Sequence, residues 1–327
     1  MAFKKLVISS GQVSGASHSD FPILIQPSKM TGWEALTLAE AESIRIYTDE
    51  AKTNEVAREV VSADEIHCKV PTLTSSTELY VEYDGIAADY GVATSFGRDA
   101  VWGDYKFVAH LETLIDSTGN QTITNSGAVA ATGKVGGAYD FDSGDYMTAG
   151  TFSTASGAYT WDVWISHGTL SSSTHFIFDS LSGRAALSLR RTGPSGVTVN
   201  DSVSFFDGSS WNNTNQAPGV GWHKITLVSS GSGVSIYVDG SSVFSNSASM
   251  NSMGSDFGLS ANIGDLSISA YAGLLDEAKV TESQRSTDWI TTEYNNQNDV
   301  ASFWGTVTDA GGDPPAPVAD TGFFAFM

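Results

Sequence analysis

Gly133-Lys134-Val135-Gly136-Gly137-Ala138-Tyr139-Asp140-Phe141-Asp142 decides how this chain is read, together with Gly221-Trp222-His223, Tyr237-Val238-Asp239-Gly240 and Leu275-Asp276-Glu277-Ala278. Side chains alternate across a strand, so Asp140 and Asp142 share a strand face. Val234-Ser235-Ile236-Tyr237-Val238 runs straight into Asp239-Gly240, a pair suited to the positive φ angles of a two-residue hairpin turn. Tyr159 to Ser166 also alternates, with Trp161, Val163 and Ile165 on one face and Asp162 and Trp164 on the other. Both of those faces are heavily apolar, which predicts a central strand of a β-sandwich. Alternation along Leu274, Asp276, Ala278 and Val280 puts the Asp276 carboxylate among apolar neighbours. A buried charge must be paired, hydrogen-bonded or bound to metal.

These stretches resemble the laminin-G-like (concanavalin A-type) β-sandwich. His110-Leu111-Glu112 and Asp116-Ser117-Thr118-Gly119-Asn120 match that family's first strand and loop. The resemblance implies a jelly-roll sandwich over residues 100–300 that presents a binding surface. It also implies a structural Ca2+, because in several concanavalin-type enzymes and lectins an aspartate similarly placed in the last strand binds the ion. Asp276 would take that role, with Glu112 or Asp116 adding oxygen ligands. The alternative for Asp276 is a carboxylate satisfied by backbone N–H groups or by an arginine. His110 and His223 fall at positions that serve packing in the family.

Residues 1–99 read as a separate β-rich domain. Phe21, Ile23 and Ile25 share a face, as do Ile44 and Ile46, and Leu79, Val81 and Tyr83, with Asp84-Gly85 as a closing turn. A short helix is predicted near Leu36 to Glu42. This region resembles the DUF2341 domain through Gln12-Val13-Ser14-Gly15, Asp20-Phe21-Pro22-Ile23-Leu24-Ile25, Ser43-Ile44-Arg45-Ile46-Tyr47-Thr48-Asp49, Val70-Pro71-Thr72-Leu73 and Leu79 to Gly85. That family often precedes a laminin-G-like module. It carries a Trp-Val pair where this chain has His67-Cys68. Cys68, the only cysteine, alternates with Ile66 and Val70 and reads as a buried structural thiol.

Thr287 to Asn296 predicts a short terminal helix capped by Ser286 or Thr287. Residues 301–327 read as an extended tail: Gly311-Gly312-Asp313-Pro314-Pro315-Ala316-Pro317 as tether, then Phe323, Phe324, Phe326 and Met327 as an apolar docking anchor. The whole chain is therefore expected to be all-β, with two β domains and an extended end.

The chain has 327 residues and a formal net charge of −21. So acidic a surface repels phosphate backbones and anionic bilayers, which argues against nucleic acid and membrane insertion as partners. Sugar binding would use exposed aromatics flanked by polar side chains, the composition of the loop holding Phe206, Asp207, Trp211 and Asn212, with Tyr271 as a further candidate. The opposing reading makes Phe205 and Trp211 the packing ends of a hairpin around Asp207-Gly208. Hydrolases of this fold share a Glu-x-Asp-x-x-Glu strand motif, and that spacing does not occur here. The histidines form no zinc-type pair at helical spacing.

The reading is a non-enzymatic structural protein of a tailed phage, on the head or tail exterior, contacting host-surface glycans. It is expected to act as a homo-oligomer beside other virion proteins, and its basic but not apolar N-terminus reads as lacking an export signal. The alternatives are a cellular carbohydrate-binding or adhesion module, and a glycan-cleaving enzyme with an unrecognised site.

Overall fold

The structure is a computed structural model that describes residues 2–142, 144–150, 154, 157–170, 174–180, 185–190, 197–253, 257–260 and 271–311. The tail anchor Phe323, Phe324, Phe326 and Met327 lies outside the described residues. The fold is all-β, and the described strands form four antiparallel sheets in two units.

The larger unit is a sandwich. Its first sheet runs Ser241–Asn246, Val234–Val238, Gly221–Ser230, Ala158–His167, Gly273–Thr281, Gly137–Phe141, Val129–Thr132, and Tyr105–Ala109 also pairs with Gly273–Thr281. Its second sheet runs Trp211–Asn213, Ser202–Phe206, Ala185–Arg190, Thr174–Ser180, Phe257–Leu259, Tyr146–Thr148, Thr124–Ser126. Between them lies a core that includes Phe107, Phe141, Trp161, Phe178, Phe205, Ile225 and Phe257. Asp239 and Gly240 adopt φ of 51° and 73°, as the hairpin turn requires.

The smaller unit pairs a sheet of Thr308–Asp309, Ala2–Val7, Glu78–Tyr83 and Arg45–Tyr47 with a sheet of His18–Ile25, Glu65–Leu73 and Arg58–Ser62. The expected helix is present at Leu38–Glu42, closed by a capping box between Thr37 and Glu40. Ile66, Cys68 and Val70 share its core, and burial pushes the Cys68 thiol up.

Residues 301–311 do not extend away as a linker. Phe303, Trp304 and Val307 are buried in the first unit's core, Trp304 Nε1 donates to Leu24 O at 3.1 Å, and Thr308–Asp309 adds an edge to Ala2–Val7. These apolar side chains complete a core that residues 1–99 leave open, so the first unit is built from both ends of the chain.

The helix Thr287–Asn298, capped by Ser286 accepting from Trp289 N, sits between the two units. One side holds the first unit: Asn296 exchanges hydrogen bonds with Leu24 N and O at 2.7 and 3.0 Å, and Trp289 packs 4.6 Å from Phe21. The other side holds the sandwich: Gln297 Oε1 accepts from Trp164 Nε1 at 2.8 Å and Lys224 Nζ at 2.7 Å.

A β-bulge changes the expected parity of the last sandwich strand. Trp164 faces Asp276 and Asp162 faces Lys279, so Glu277 and Ala278 together oppose the single Val163. Glu277 takes the left-handed conformation at φ 53°, a strained state for a residue with a Cβ. Leu275, Ala278 and Val280 consequently point into the sandwich core, while the other face takes Asp276. Asp276 is still fully buried, because the smaller unit covers that face.

Candidate functional site

Two places concentrate polar and aromatic side chains: the outer face of the second sandwich sheet, and the buried seam between the units.

On the outer face, Leu187, Leu189, Val203 and Phe205 alternate inward, so Ser188, Arg190, Ser204 and Phe206 point out. Trp211 pairs with Phe206 and Asn213 with Ser204, which puts both on the same face. The Trp211 ring lies 5.5 Å from Phe206 and 5.8 Å from Phe176, and the Arg190 guanidinium sits 4.6 Å from its centre. Arg190 Nη1 donates to Asn213 Oδ1 at 2.9 Å, and its buried Nε has no hydrogen-bond partner. Burial lowers the Arg190 pKa. The result is a half-buried ridge of three aromatic rings backed by a buried guanidinium.

The five expected sugar-contact residues do not converge. Phe206 and Trp211 reach this ridge. Asp207 binds its own loop, accepting from Ser209 N and Ser210 N at 2.8 Å and from Asn212 Nδ2 at 2.9 Å, and Asn212 Oδ1 accepts from Asn246 Nδ2 at 2.9 Å. Asn212 pairs with Phe205, which turns it away from the ridge. Tyr271 is fully buried in the sandwich core, edge-on to His167, and offers no surface to a sugar. Alternation within a strand assigns faces; it does not reveal which hairpin residues are spent on closing the turn.

The expected calcium ligands do not fit the ion. Asp276 Oδ2 accepts from Lys134 N and Val135 N, each at 2.8 Å, as in the backbone alternative raised by the sequence, while its buried Oδ1 has no hydrogen-bond partner. Burial pushes its carboxyl well above the usual range, with the Glu277 charge adding to the rise. Asp116 accepts from Val108 N at 2.9 Å, Thr118 Oγ1 at 2.6 Å and Gln121 N at 2.9 Å, so both oxygens organise its own loop. Glu112 is exposed. Calcium needs six to eight oxygens around one point, and these three carboxylates surround none.

The seam holds a denser set that sequence reading missed. Glu65 and His67 come from the first unit, His110 follows Tyr105–Ala109, and Glu277 sits on the bulge. All four are buried, and one ligand-type atom from each lies within 4.8 Å of the others. His67 Nε2 is 3.2 Å from Glu65 Oε1 and 3.9 Å from Glu277 Oε1, and His110 Nδ1 is 3.3 Å from Glu65 Oε1 and in close contact with Glu277 Oε1. Glu59 Oε2 meets His110 Nε2 at 3.1 Å, and Glu59 is itself held by Trp102 Nε1 and by Ser117 Oγ at 2.7 Å.

From Glu277 the network continues to Lys279 Nζ at 3.2 Å, which also reaches Glu293 Oε1 at 2.7 Å; Lys224 Nζ meets Asp162 Oδ2 at 3.0 Å. Burial opposes charge throughout. Even so, Glu277 and Glu59 hold the His110 pKa well above its ordinary value, and Lys279 is held up by Glu293, Glu277 and Asp162. Burial pushes Asp162 up to about 6 and raises Glu65 well above the usual carboxylate range. Burial, then His110, drives His67 well below the usual imidazole value. The signal available in the sequence was His67 itself, a polar residue where the resembling family has an apolar one.

Residues 141–291 match a family model described as the concanavalin A-like lectin/glucanases superfamily. No curated protein matches the sequence. Among solved structures, domain 4 of AbnA, a GH43 extracellular arabinanase from Geobacillus stearothermophilus in complex with arabinotriose, is 22% identical with a TM-score of 0.48, covering 57% of this chain and 97% of that one. The binding domain of Paraclostridial Mosquitocidal Protein 1 is 12% identical at a TM-score of 0.44, covering 59% of this chain and 52% of that one. The Trypanosoma rangeli sialidase in complex with 2,3-difluorosialic acid is 11% identical at a TM-score of 0.48, covering 66% of this chain and 35% of that one. The sandwich of this chain, over residues 141–291, is a concanavalin A-like domain.

Proposed function

We propose that the chain is a non-catalytic glycan-binding module, and that the outer face of its second sandwich sheet is the binding surface. The observation that carries this reading is the ridge of half-buried Phe176, Phe206 and Trp211 beside Arg190, on the sandwich face opposite the seam. The face of an aromatic ring receives the apolar face of a sugar ring, and the Arg190 guanidinium packed on Trp211 holds that ring in place. Asp207, the carboxylate of the neighbouring loop, is committed to turn hydrogen bonds and is not free for acid–base work.

In the finer reading the module sits on the exterior of a tailed-phage particle, in many copies and beside other virion proteins. What supports it is the resemblance of residues 1–99, the acidic composition and the apolar end Phe323, Phe324, Phe326 and Met327 as a particle anchor. Weak single-site contact with host-surface glycans then gains strength from copy number. A polysaccharide array probed with the full chain tests the reading. Arg190→Ala and Trp211→Ala should each weaken retained binding at least tenfold with unchanged circular dichroism. Binding that survives both substitutions removes this face from the proposal.

A further inference from the structure

The geometry points to a transition-metal site, of the Zn2+ class, in which Glu65, His67, His110 and Glu277 clamp the first unit to the sandwich. Each unit supplies two ligands: Glu65 and His67 from one, His110 and Glu277 from the other. A tetrahedral ion with bonds of about 2.0–2.1 Å spaces its ligand atoms about 3.3 Å apart. Three of the separations, 3.2, 3.3 and 3.9 Å, lie near that spacing, and His110 Nδ1 and Glu277 Oε1, in direct contact, would part by about 1 Å to admit the ion. Two imidazoles with two carboxylates form a borderline donor set, which favours a first-row divalent ion over Ca2+ or Mg2+. One divalent charge balances Glu65 and Glu277.

Three further observations concern ligand readiness. Glu65 turns Oε1 to the histidines, and its other oxygen, Oε2, is buried beside Gly136 without a hydrogen-bond partner, so the carboxylate carries a cost that a cation at Oε1 relieves in part. The outer shell is in place: Glu59 faces His110 Nε2 and so leaves Nδ1 turned to the centre, while Glu277 Oε2 receives Lys279 Nζ at 3.2 Å and Gln297 Nε2 at 3.1 Å. The left-handed Glu277 on its bulge is a local strain, and that bulge is what aims its carboxylate at the two histidines. A cleft lined by Arg58, Glu59, Tyr90, His110 and Ser117 opens from solvent to the back of His110. With all four ligands buried, the ion enters as the two units close on each other.

The test uses the full chain with any affinity tag removed, unfolded in chelator and refolded with or without ZnCl2. Elemental analysis should find about one Zn2+ per chain, and the zinc-refolded protein should melt higher. Glu65→Gln and His67→Gln should each lower zinc affinity at least tenfold, the loss typical even of outer-shell changes. If either variant fails to fold, Co2+ in the wild-type chain decides, through visible d–d bands of tetrahedral form and paramagnetic shifts of the His67 and His110 rings. Substoichiometric zinc with an unchanged melt, full zinc binding by both folded variants, or an octahedral Co2+ spectrum would overturn the site.

Discussion

The two outer faces of the sandwich are built from the same kind of strand and end in opposite states. On the second sheet, Phe206 and Trp211 stand half-buried at a surface and Arg190 lies buried beside them, one charged group among aromatic rings and serines. On the first sheet, Asp162, Lys224 and Lys279 are fully covered by the helix Thr287–Asn298, whose Glu293 and Gln297 meet the lysines directly. One face of this sandwich carries assembly, and the proposed glycan surface falls on the other. Charge is the marker: on the covered face Lys224 and Lys279 are each paired with carboxylates, whereas the buried Arg190 of the other face has no carboxylate partner among the ion pairs of the described residues.

Breaking the covered face should cost most. A chain ended after Asn298 loses Val300, Phe303, Trp304 and Val307 from the first unit's core, at about 1.5–3 kcal/mol per side chain. That unit should fail to fold, whereas a chain ended after Gly311 should keep wild-type hydrogen-exchange protection in both units. Equal protection in the two truncations would show that residues 299–311 are dispensable. Lys279→Met ranks next: it leaves Glu277, Glu293 and Asp162 sharing one fewer buried cation and should destabilise by about 3–5 kcal/mol in urea unfolding. A loss below 1 kcal/mol, on the order of an exposed ion pair, would mean that the seam is wet. The smallest effect belongs to the other face, where Trp211→Ala should cost about 1 kcal/mol, since its ring is only partly buried and Arg190 keeps its hydrogen bond to Asn213. A cost on the scale of Lys279→Met would make Trp211 a core residue and erase the contrast between the faces.

Much of the fold was legible because alternation is a local property. Trp161, Val163 and Ile165 do face the core, Asp162 and Trp164 do face outward, and Ser286 does cap the helix Thr287–Asn298. The limits of that reading are equally physical. Glu277 enters the left-handed region, and one extra residue shifts Asp276 to the opposite face; nothing in Leu275-Asp276-Glu277-Ala278 marks a bulge. Helix Thr287–Asn298 uses polar residues on two faces toward two different units, so it lacks the single apolar stripe by which a packed helix is recognised. The His/Glu cluster draws on positions 65, 67, 110 and 277, which only the docking of the units brings together. The return of Phe303 and Trp304 to the first core was hidden by the Gly/Pro-rich composition that follows them.

The pairing of Thr308–Asp309 with Ala2–Val7 makes the sandwich an insertion within the smaller unit. Lys4 faces Asp309 and Lys5 faces Thr308, so the chain leaves the first unit near residue 100, builds the sandwich, and comes back to close the sheet where it started. A single proteolytic cut in a sandwich loop therefore releases nothing. Both fragments stay anchored through the same four-stranded sheet, and two cuts, one on each connection, are needed to free the sandwich from its base.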